Sequence, residues 1–284
     1  MLGDSEPTPA WNPVIVRSFK KNYDAIKEPV YCQLASVRPN GTPKIQRVVF
    51  QDFLAADPKV LMFAAPTRSA ELMAVVKGSQ THELFWQMPK TGETFTITGR
   101  MYMVAAPTMS HRFGAPPRRI TTGATNQDEF WELERLRQWK RLSPAYRASF
   151  TWPAPGEPQN SAASAASEGS VYSSAHAVKI GAQSDTGFKY TRLDAMEEQA
   201  PVPRPGGSST GMFGALVGAA TGGGSTADNL QDLRSVHNSA LDQFALLVLK
   251  AQKVDHWTPN SLGPPTRVVY ESTNDGWRAL DVNP

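Results

Sequence analysis

The sequence lacks several features that would assign it to a class of protein at once. Cys32 is its only cysteine, so no disulfide can form within one chain. No apolar run approaches the roughly 20 residues that a membrane-spanning helix needs, and a formal net charge of +3 is too small to indicate nucleic acid binding. The N-terminus is acidic and polar, unlike a signal peptide. We therefore expect a cytoplasmic protein that binds neither membranes nor nucleic acid.

Common catalytic and metal-binding motifs are also missing. The five histidines are scattered without the spacing of metal ligands. No Gly-x-Ser-x-Gly nucleophile motif occurs, and no Gly-x-Gly-x-x-Gly follows a predicted strand. Cys32 lies in an apolar predicted strand, which favours a buried, inert thiol over a nucleophile. We expect neither a metal site nor a Rossmann-type nucleotide site.

Residues 157–239 differ in composition from the rest of the chain. Ser, Ala, Gly and Pro dominate there, and all seven tryptophans lie elsewhere. Such a segment buries too little apolar surface to offset its ordering entropy, so we interpret it as a mostly disordered insertion. An alternative is that Met212, Phe213, Leu216 and Val217, which lie among glycines, dock weakly on a partner. Residues 1–10 are also expected to be disordered, which leaves residues 11–156 and 240–284 as a single folded domain.

The elements predicted for this domain are mainly strands. A first helix starts at Asn12, the predicted N-cap, and Pro13. Its buried face is expected to carry Val16, Phe19, Tyr23 and Ile26. Strands follow over 30–37, 44–50, 59–64, 82–88 and 93–104, with helices over 69–78 and 126–150. Asn40-Gly41 is a strong hairpin signal, so the first two strands should pair antiparallel. The run 242–249 is almost wholly apolar, as expected of a central strand. Closely spaced antiparallel strands with few helices indicate a small barrel.

Two arginines occur where a phosphate could be held. Arg47 lies mid-strand, followed by Val48 and Val49, whereas Arg68 lies at a turn that starts a helix, between the hydroxyls of Thr67 and Ser69. Helix N-termini leave backbone N–H groups available to anions, and a guanidinium group adds bidentate bonds to phosphate. Alternatively, Arg47 could extend along the sheet or form a salt bridge.

These patterns together resemble the pyridoxamine 5'-phosphate oxidase-like FMN-binding split-barrel family, in particular a branch with an N-terminal FMN-binding domain. The resemblance rests on Arg47-Val48-Val49, on Thr67-Arg68-Ser69 and above all on the stretch from Trp86 through Pro89-Lys90-Thr91 to Arg100. The C-terminal part agrees through a Val-Asp-His turn at 254–256 and a final strand that ends in Val-Asn-Pro. Together these similarities cover residues 11–156 and 240–284.

The resemblance implies a mainly β fold with flanking helices, a six-stranded antiparallel split β-barrel that binds FMN. It implies that Arg47 and Arg68 bind the FMN phosphate. Trp86 could equally be a core residue, and Thr94 stands where the family usually has a glutamine that bonds to the flavin. The oxidase itself has a lysine where Ser69 stands. The complete set of implied cofactor-binding residues is Arg47, Val48, Val49, Thr67, Arg68, Ser69, Trp86, Lys90 and Thr94.

The resemblance also implies a homodimer, with FMN in clefts at the subunit interface. The implied activity is that of an FMN-dependent oxidoreductase, which transfers hydride from a small-molecule substrate to the flavin, with oxygen as acceptor. Pyridoxamine or pyridoxine 5'-phosphate is one candidate substrate, which would place the protein in vitamin B6 metabolism. Two alternatives stay open. Thr94 and Ser69 favour a non-catalytic FMN-binding protein, and residues 157–239 would allow an interaction protein.

Overall fold

The computed structural model of the chain describes residues 8–24, 29–38, 40–69, 72, 76, 81–109, 120, 122–150, 182–183, 189–190 and 238–284. The chain forms two compact units, one of Met1–Arg135 with Ala245–Pro284 and one of Leu136–Phe244. The second unit begins earlier than residue 156, where the sequence places the end of the folded domain. The sequence predicts disorder for residues 1–10 and for most of 157–239. Of these residues, 1–7 and all of 157–239 except 182–183, 189–190 and 238–239 lie outside the described residues.

The first helix, α1, spans Trp11–Tyr23. The sequence predicts Asn12 as its cap, and that prediction is wrong, because the N-cap position is Ala10 and no side chain caps the helix. Asn12 instead points inward and donates a hydrogen bond to the carbonyl of Pro58 at 2.9 Å. Trp11 and Ile15 are fully buried. Of the predicted apolar face, Val16, Phe19 and Tyr23 pack half-buried on the core, and Ile26 lies outside the described residues.

Ten strands and two helices with defined bounds follow in the described part of the chain. Residues 72, 76 and 238–243 are helical as well, so the strand predicted over 242–249 begins only at Phe244. The strands before the helical segment are β1 (Val30–Val37), β2 (Pro43–Leu54), β3 (Asp57–Pro66), β4 (His82–Gln87) and β5 (Thr94–Val104). The helices are α2 (Gln127–Arg141) and α3 (Pro144–Ser149). The remaining strands are β6 (Ala182–Gln183), β7 (Lys189–Tyr190), β8 (Phe244–Thr258), β9 (Thr266–Thr273) and β10 (Gly276–Val282).

Six of these strands close an antiparallel barrel. The sheet order is β10-β9-β8-β3-β2-β1-β4-β5, and β5 pairs back to β8. Strands β9 and β10 extend the sheet beyond β8. This arrangement confirms the predicted six-stranded split barrel. One detail of the sequence interpretation is wrong: residues 254–256 do not form a turn but continue β8, which pairs with β9 at these positions.

The β1–β2 hairpin forms where Asn40-Gly41 predicts it. The strands pair from Val30 with Phe50 to Val37 with Pro43. Side chains then alternate between the barrel interior and its outer surface. Cys32 is buried as expected, and burial raises the pKa of its thiol well above the ordinary value. Buried side chains of the barrel interior include Leu34, Phe63, Leu84, Phe95, Ile97 and Leu249.

The second unit has its own aromatic cluster. The rings of Trp139, Phe150 and Phe244 lie 5.4 to 5.7 Å apart. The buried guanidinium of Arg147 donates to the carbonyl oxygens of Trp139 and Lys140 at the end of α2, which satisfies groups that a helix C-terminus leaves unbonded. Within the described ranges, no helix has the length and apolar character that would let it cross a membrane.

Candidate functional site

The phosphate-binding residues predicted from the sequence lie at one end of β2 and β3. Val49 pairs with Ala64 in the antiparallel β2–β3 ladder. If that register is continued by two residues, Arg47 is level with Pro66, the last residue of β3. The turn Thr67-Arg68-Ser69 follows immediately. The fold therefore brings two arginines and two hydroxyls, from separate stretches of the sequence, to the same edge of the barrel.

The turn at residues 67–69 starts a helical segment, as predicted. The amide of Leu72, a helical residue, donates to the hydroxyl oxygen of Ser69 at 3.3 Å. Ser69 thus acts as an N-cap, and its hydroxyl can still donate its hydrogen to a ligand. Val76 is helical as well, and the rest of the predicted helix 69–78 beyond Ser69 lies outside the described residues.

Arg47 projects from the outer face of the barrel. Its side chain is exposed, and its guanidinium carbon lies 5.1 Å from the centre of the Tyr31 ring. Val48 belongs to the core cluster and Val49 is also buried, so these two valines present only backbone groups to a ligand. Cation–π contact with Tyr31 holds the arginine on the sheet surface without neutralising its charge.

Lys90 lies within the tight turn between β4 and β5, and Thr94 is the first residue of β5 after it. Two backbone hydrogen bonds of 2.8 Å close the turn. The amide of Met88 donates to the carbonyl of Glu93, and the amide of Gly92 donates to the carbonyl of Met88. Gly92 has φ +71, a conformation that favours glycine. Lys90 is exposed, whereas Thr94 is half-buried and pairs with Gln87.

Trp86 lies in the barrel core. It is fully buried, and its ring is 4.6 Å from that of Phe50 and 5.7 Å from that of Phe19. Of the two interpretations of this residue, its burial favours the packing role. A contact between Trp86 and a cofactor stays a prediction.

Sequence reasoning missed a polar network beneath the β4–β5 turn. The carboxylate of Glu93 accepts hydrogen bonds from the hydroxyls of Ser18 and Thr91, and its other oxygen lies 3.2 Å from Nε2 of His256. Asn22 binds the same turn from α1. Glu93 and His256 are 163 positions apart, so no local spacing could have paired them; the only signal is that both fall within motifs of the family pattern.

The two titratable groups of this network have shifted pKa values. Burial lowers the pKa of His256, and this effect exceeds the opposing influence of the Glu93 carboxylate. Burial by itself would raise the pKa of Glu93, but hydrogen bonds from Ser18 and Thr91 and the proximity of His256 outweigh it, so that pKa is lowered. Both shifts favour an ionised Glu93 and a neutral His256 at neutral pH.

Comparison with known proteins bears on this site. Residues 8–105 match the family model described as pyridoxamine 5'-phosphate oxidase, FMN-binding domain. A solved pyridoxamine 5'-phosphate oxidase-related, FMN-binding protein from Nostoc punctiforme PCC 73102 is 22% identical, with a TM-score of 0.55 over 97% of each chain. PhzG from Burkholderia lata 383, solved with tetrahydrophenazine-1-carboxylic acid, is 13% identical, with a TM-score of 0.48 over 99% of this chain and 95% of that one. A comparison with curated proteins found no match.

The similarity to the Nostoc protein shows a shared fold. The family match extends from the start of α1 to the end of β5, and it includes both arginines and the turn between β4 and β5. Residues 8–105 of this chain therefore carry the sequence pattern of the pyridoxamine 5'-phosphate oxidase FMN-binding domain.

Proposed function

We propose that this protein binds FMN and uses it to oxidise a small-molecule substrate. The observation that carries the proposal is the β2–β3 ladder, which ends with Val49 opposite Ala64, two residues from Arg47 and four residues from Arg68. Guanidinium groups and the Thr67 and Ser69 hydroxyls form a donor set suited to a phosphate monoester. These residues would hold the FMN phosphate.

The outer face of the barrel offers a path from this phosphate site to the β4–β5 turn. Arg47 pairs with Gln33, Gln33 with Phe85, and Phe85 with Thr96, so these residues form one row across four strands. Three inter-strand spacings amount to about 14 Å. We propose that the sugar chain and ring of FMN lie along this row, toward Lys90 and Thr94. Phe85, which is exposed, offers an apolar contact to the ring.

Bound flavin would supply hydride-accepting chemistry, with oxygen as the proposed final acceptor, while the chain binds and orients it. Thr94 offers one hydroxyl where the family usually presents a longer amide. An amine or alcohol substrate fits the proposal, and pyridoxamine or pyridoxine 5'-phosphate is one candidate.

We further propose that the protein is a homodimer. Four apolar side chains, Tyr31, Val37, Ile45 and Phe85, are exposed on the same outer face of β1, β2 and β4. Ile45 is the most exposed of the four, with 69% of its surface accessible. A clustered apolar surface of this kind is typical of an interface. Because the cluster adjoins Arg47, a second subunit bound there would also cover the proposed flavin path.

The experiment that tests the proposal is a flavin titration of purified protein. Quenching of flavin fluorescence should give a far lower Kd for FMN than for riboflavin, which lacks the phosphate. Bleaching of the bound flavin by amines or alcohols without oxygen would then establish oxidation. Tight FMN binding without bleaching by any substrate would favour the second candidate, an FMN-binding protein without turnover, which the short side chain of Thr94 supports. Equal, weak affinity for both flavins would overturn the proposal.

A further inference from the structure

The turn between β4 and β5 is held by more contacts than its closure requires. Its own backbone bonds and Gly92 already close it. Side chains from two other elements reach it as well: Ser18 and Asn22 from α1, and His256 from β8. The contacts bridge 68 to 163 positions of sequence, so they form only in the folded barrel.

Asn22 fixes the backbone of the turn. Its side-chain oxygen accepts hydrogen bonds from the amides of Lys90 at 2.6 Å and of Thr91 at 3.2 Å. Its side-chain nitrogen donates to the carbonyl of Ser18 at 2.7 Å and to the Thr91 hydroxyl at 3.1 Å. Asn22 is fully buried. Because all its hydrogen-bonding groups are used, the position of the Lys90 backbone is set by α1.

Glu93 fixes the end of the turn. One carboxylate oxygen accepts from the hydroxyls of Ser18 and Thr91, and the other faces Nε2 of His256 at 3.2 Å. The Thr258 hydroxyl also lies 3.0 Å from this nitrogen. An ionised carboxylate can only accept, so Nε2 carries the hydrogen.

We propose that Glu93 and His256 are positioning residues for flavin binding, which hold the β4–β5 turn so that Lys90 and Thr94 meet the flavin ring in a fixed geometry. The inference rests on the proposed function. Its physical basis is preorganisation: a turn that is already ordered does not lose conformational entropy when the ligand binds. The exposed side of the turn carries Lys90, and its buried side carries the network, so ligand contact and support are on opposite sides.

The test uses flavin titrations of Glu93→Ala, which removes all three hydrogen bonds. The Kd values for FMN and riboflavin should both rise, each by roughly 10- to 100-fold, because the ring contact is shared by the two ligands. The absorption band of bound flavin should also shift. Glu93→Gln should bind nearly as wild type at pH 8, since its amide oxygen can accept from the two hydroxyls while its amide nitrogen donates to the other tautomer of His256.

Asn12→Ala is the matched control. It removes another hydrogen bond of α1, the partly buried one to Pro58, at the end of the helix away from the turn. It should lower the Tm but leave both Kd values unchanged. If Glu93→Ala does not fold, Thr91→Val removes the hydroxyl that donates to Glu93 and accepts from Asn22, and it should raise both Kd values by roughly 3- to 10-fold.

Two results would overturn the inference. One is a folded Glu93→Ala or Thr91→Val protein that binds both flavins as wild type does. The other is an equal loss of affinity in Asn12→Ala, which would mean that affinity merely follows stability. Failure of the wild-type protein to bind either flavin is a distinct outcome, since it would refute the proposed function and this inference with it.

Discussion

Phe95 and His256 stack face to face across β5 and β8. Their ring centroids are 4.4 Å apart, their planes differ by 2°, and the two residues are cross-strand partners. The charged groups that act on the imidazole are Glu93 at the end of the β4–β5 turn, Asp255 next to His256 in sequence and Arg17 on α1. Burial dominates over all of them and lowers the pKa of His256. The ring is therefore held in its neutral form.

This environment predicts that stability falls in mild acid. The unfolded chain takes up a proton at His256 near its ordinary pKa of 6.5, whereas the folded chain does so only at lower pH. The neutral ring of His256 thus makes its full contribution to the free energy of unfolding above pH 6.5. This contribution is lost as the pH falls toward the pKa of His256 in the folded chain. Glu93, whose pKa is also lowered, adds a further loss below about its ordinary value of 4.5.

The measurement is urea denaturation of the wild type and of His256→Gln between pH 8 and pH 5. The wild type should lose more stability than the variant over this range, because only the wild type has this titrating ring. Parallel pH profiles for the two proteins would show that His256 does not contribute to the pH dependence.

A side chain at position 99 should destabilise the fold, because Gly99 lies where β5 and β8 approach closely. This glycine lies at the point where the β5–β8 register shifts, and a Cβ atom there would be only 2.1 Å from the carbonyl oxygen of Lys250. Gly99→Ala should destabilise the protein by about 1–3 kcal/mol, since backbone must move to relieve the clash. Gly263→Ala is the control, because its new methyl group would meet only the Asn260 side chain. Equal Tm values for the two variants would contradict the close approach of β5 and β8.

The barrel could be predicted from sequence because its signals are local. Alternating residues give strands, Asn40-Gly41 gives the first hairpin, and the apolar run at 242–249 requires a central position, which β8 occupies between β3 and β5. The role of Asn12 could not be predicted in this way. Its partner, the Pro58 carbonyl, is 46 positions away, and local capping rules do not include such a contact.

The same distinction applies to the candidate site. Arg47 and Arg68 could be identified because a strand arginine and a helix start have recognisable local patterns. Glu93 and His256 could not, because a buried carboxylate and a distant histidine acquire a shared role only when β5 and β8 pair. Both residues lie within motifs of the family pattern, but those motifs do not predict that the two side chains contact each other.

Deletion of residues 240–284 should prevent folding. It removes β8, which pairs with both β3 and β5 and so closes the barrel, together with β9 and β10. The remaining strands would expose two unpaired edges and the apolar interior. Expression of residues 1–156 should give aggregated or unfolded protein by circular dichroism and size-exclusion chromatography. A soluble fragment that melts cooperatively would show that β8 is not needed for the fold.

Ile45→Glu should convert the proposed homodimer to a monomer. A charge would replace an apolar side chain whose burial at an interface is worth about 1.5–3 kcal/mol in each subunit. Light scattering coupled to size-exclusion chromatography measures the molecular mass directly. Leu262→Glu is the control, since Leu262 is almost fully exposed, outside the cluster, in the segment between β8 and β9. A monomeric wild type, or an Ile45→Glu protein that stays dimeric, would contradict the proposed interface.

Arg47→Ala and Arg68→Ala should each weaken FMN binding by roughly 10- to 150-fold. A charge-assisted hydrogen bond contributes about 1.5–3 kcal/mol, and 1.4 kcal/mol corresponds to a factor of ten in Kd. Riboflavin has no phosphate, so its weaker binding should change little in either variant. This selectivity separates the phosphate contacts from the Glu93 network, whose loss should affect both flavins.

The measurement is flavin fluorescence quenching, on variants whose Tm without flavin equals that of the wild type. Arg38→Ala serves as the control for loss of positive charge, because Arg38 lies at the β1–β2 hairpin and donates to the Thr42 hydroxyl. It should leave the Kd for FMN within a few-fold of wild type, as expected for a distant charge screened by salt. An unchanged Kd for FMN in Arg47→Ala and Arg68→Ala, or equal losses for FMN and riboflavin, would exclude these arginines as phosphate ligands. The β2–β3 register would then no longer support a flavin site at this edge of the barrel.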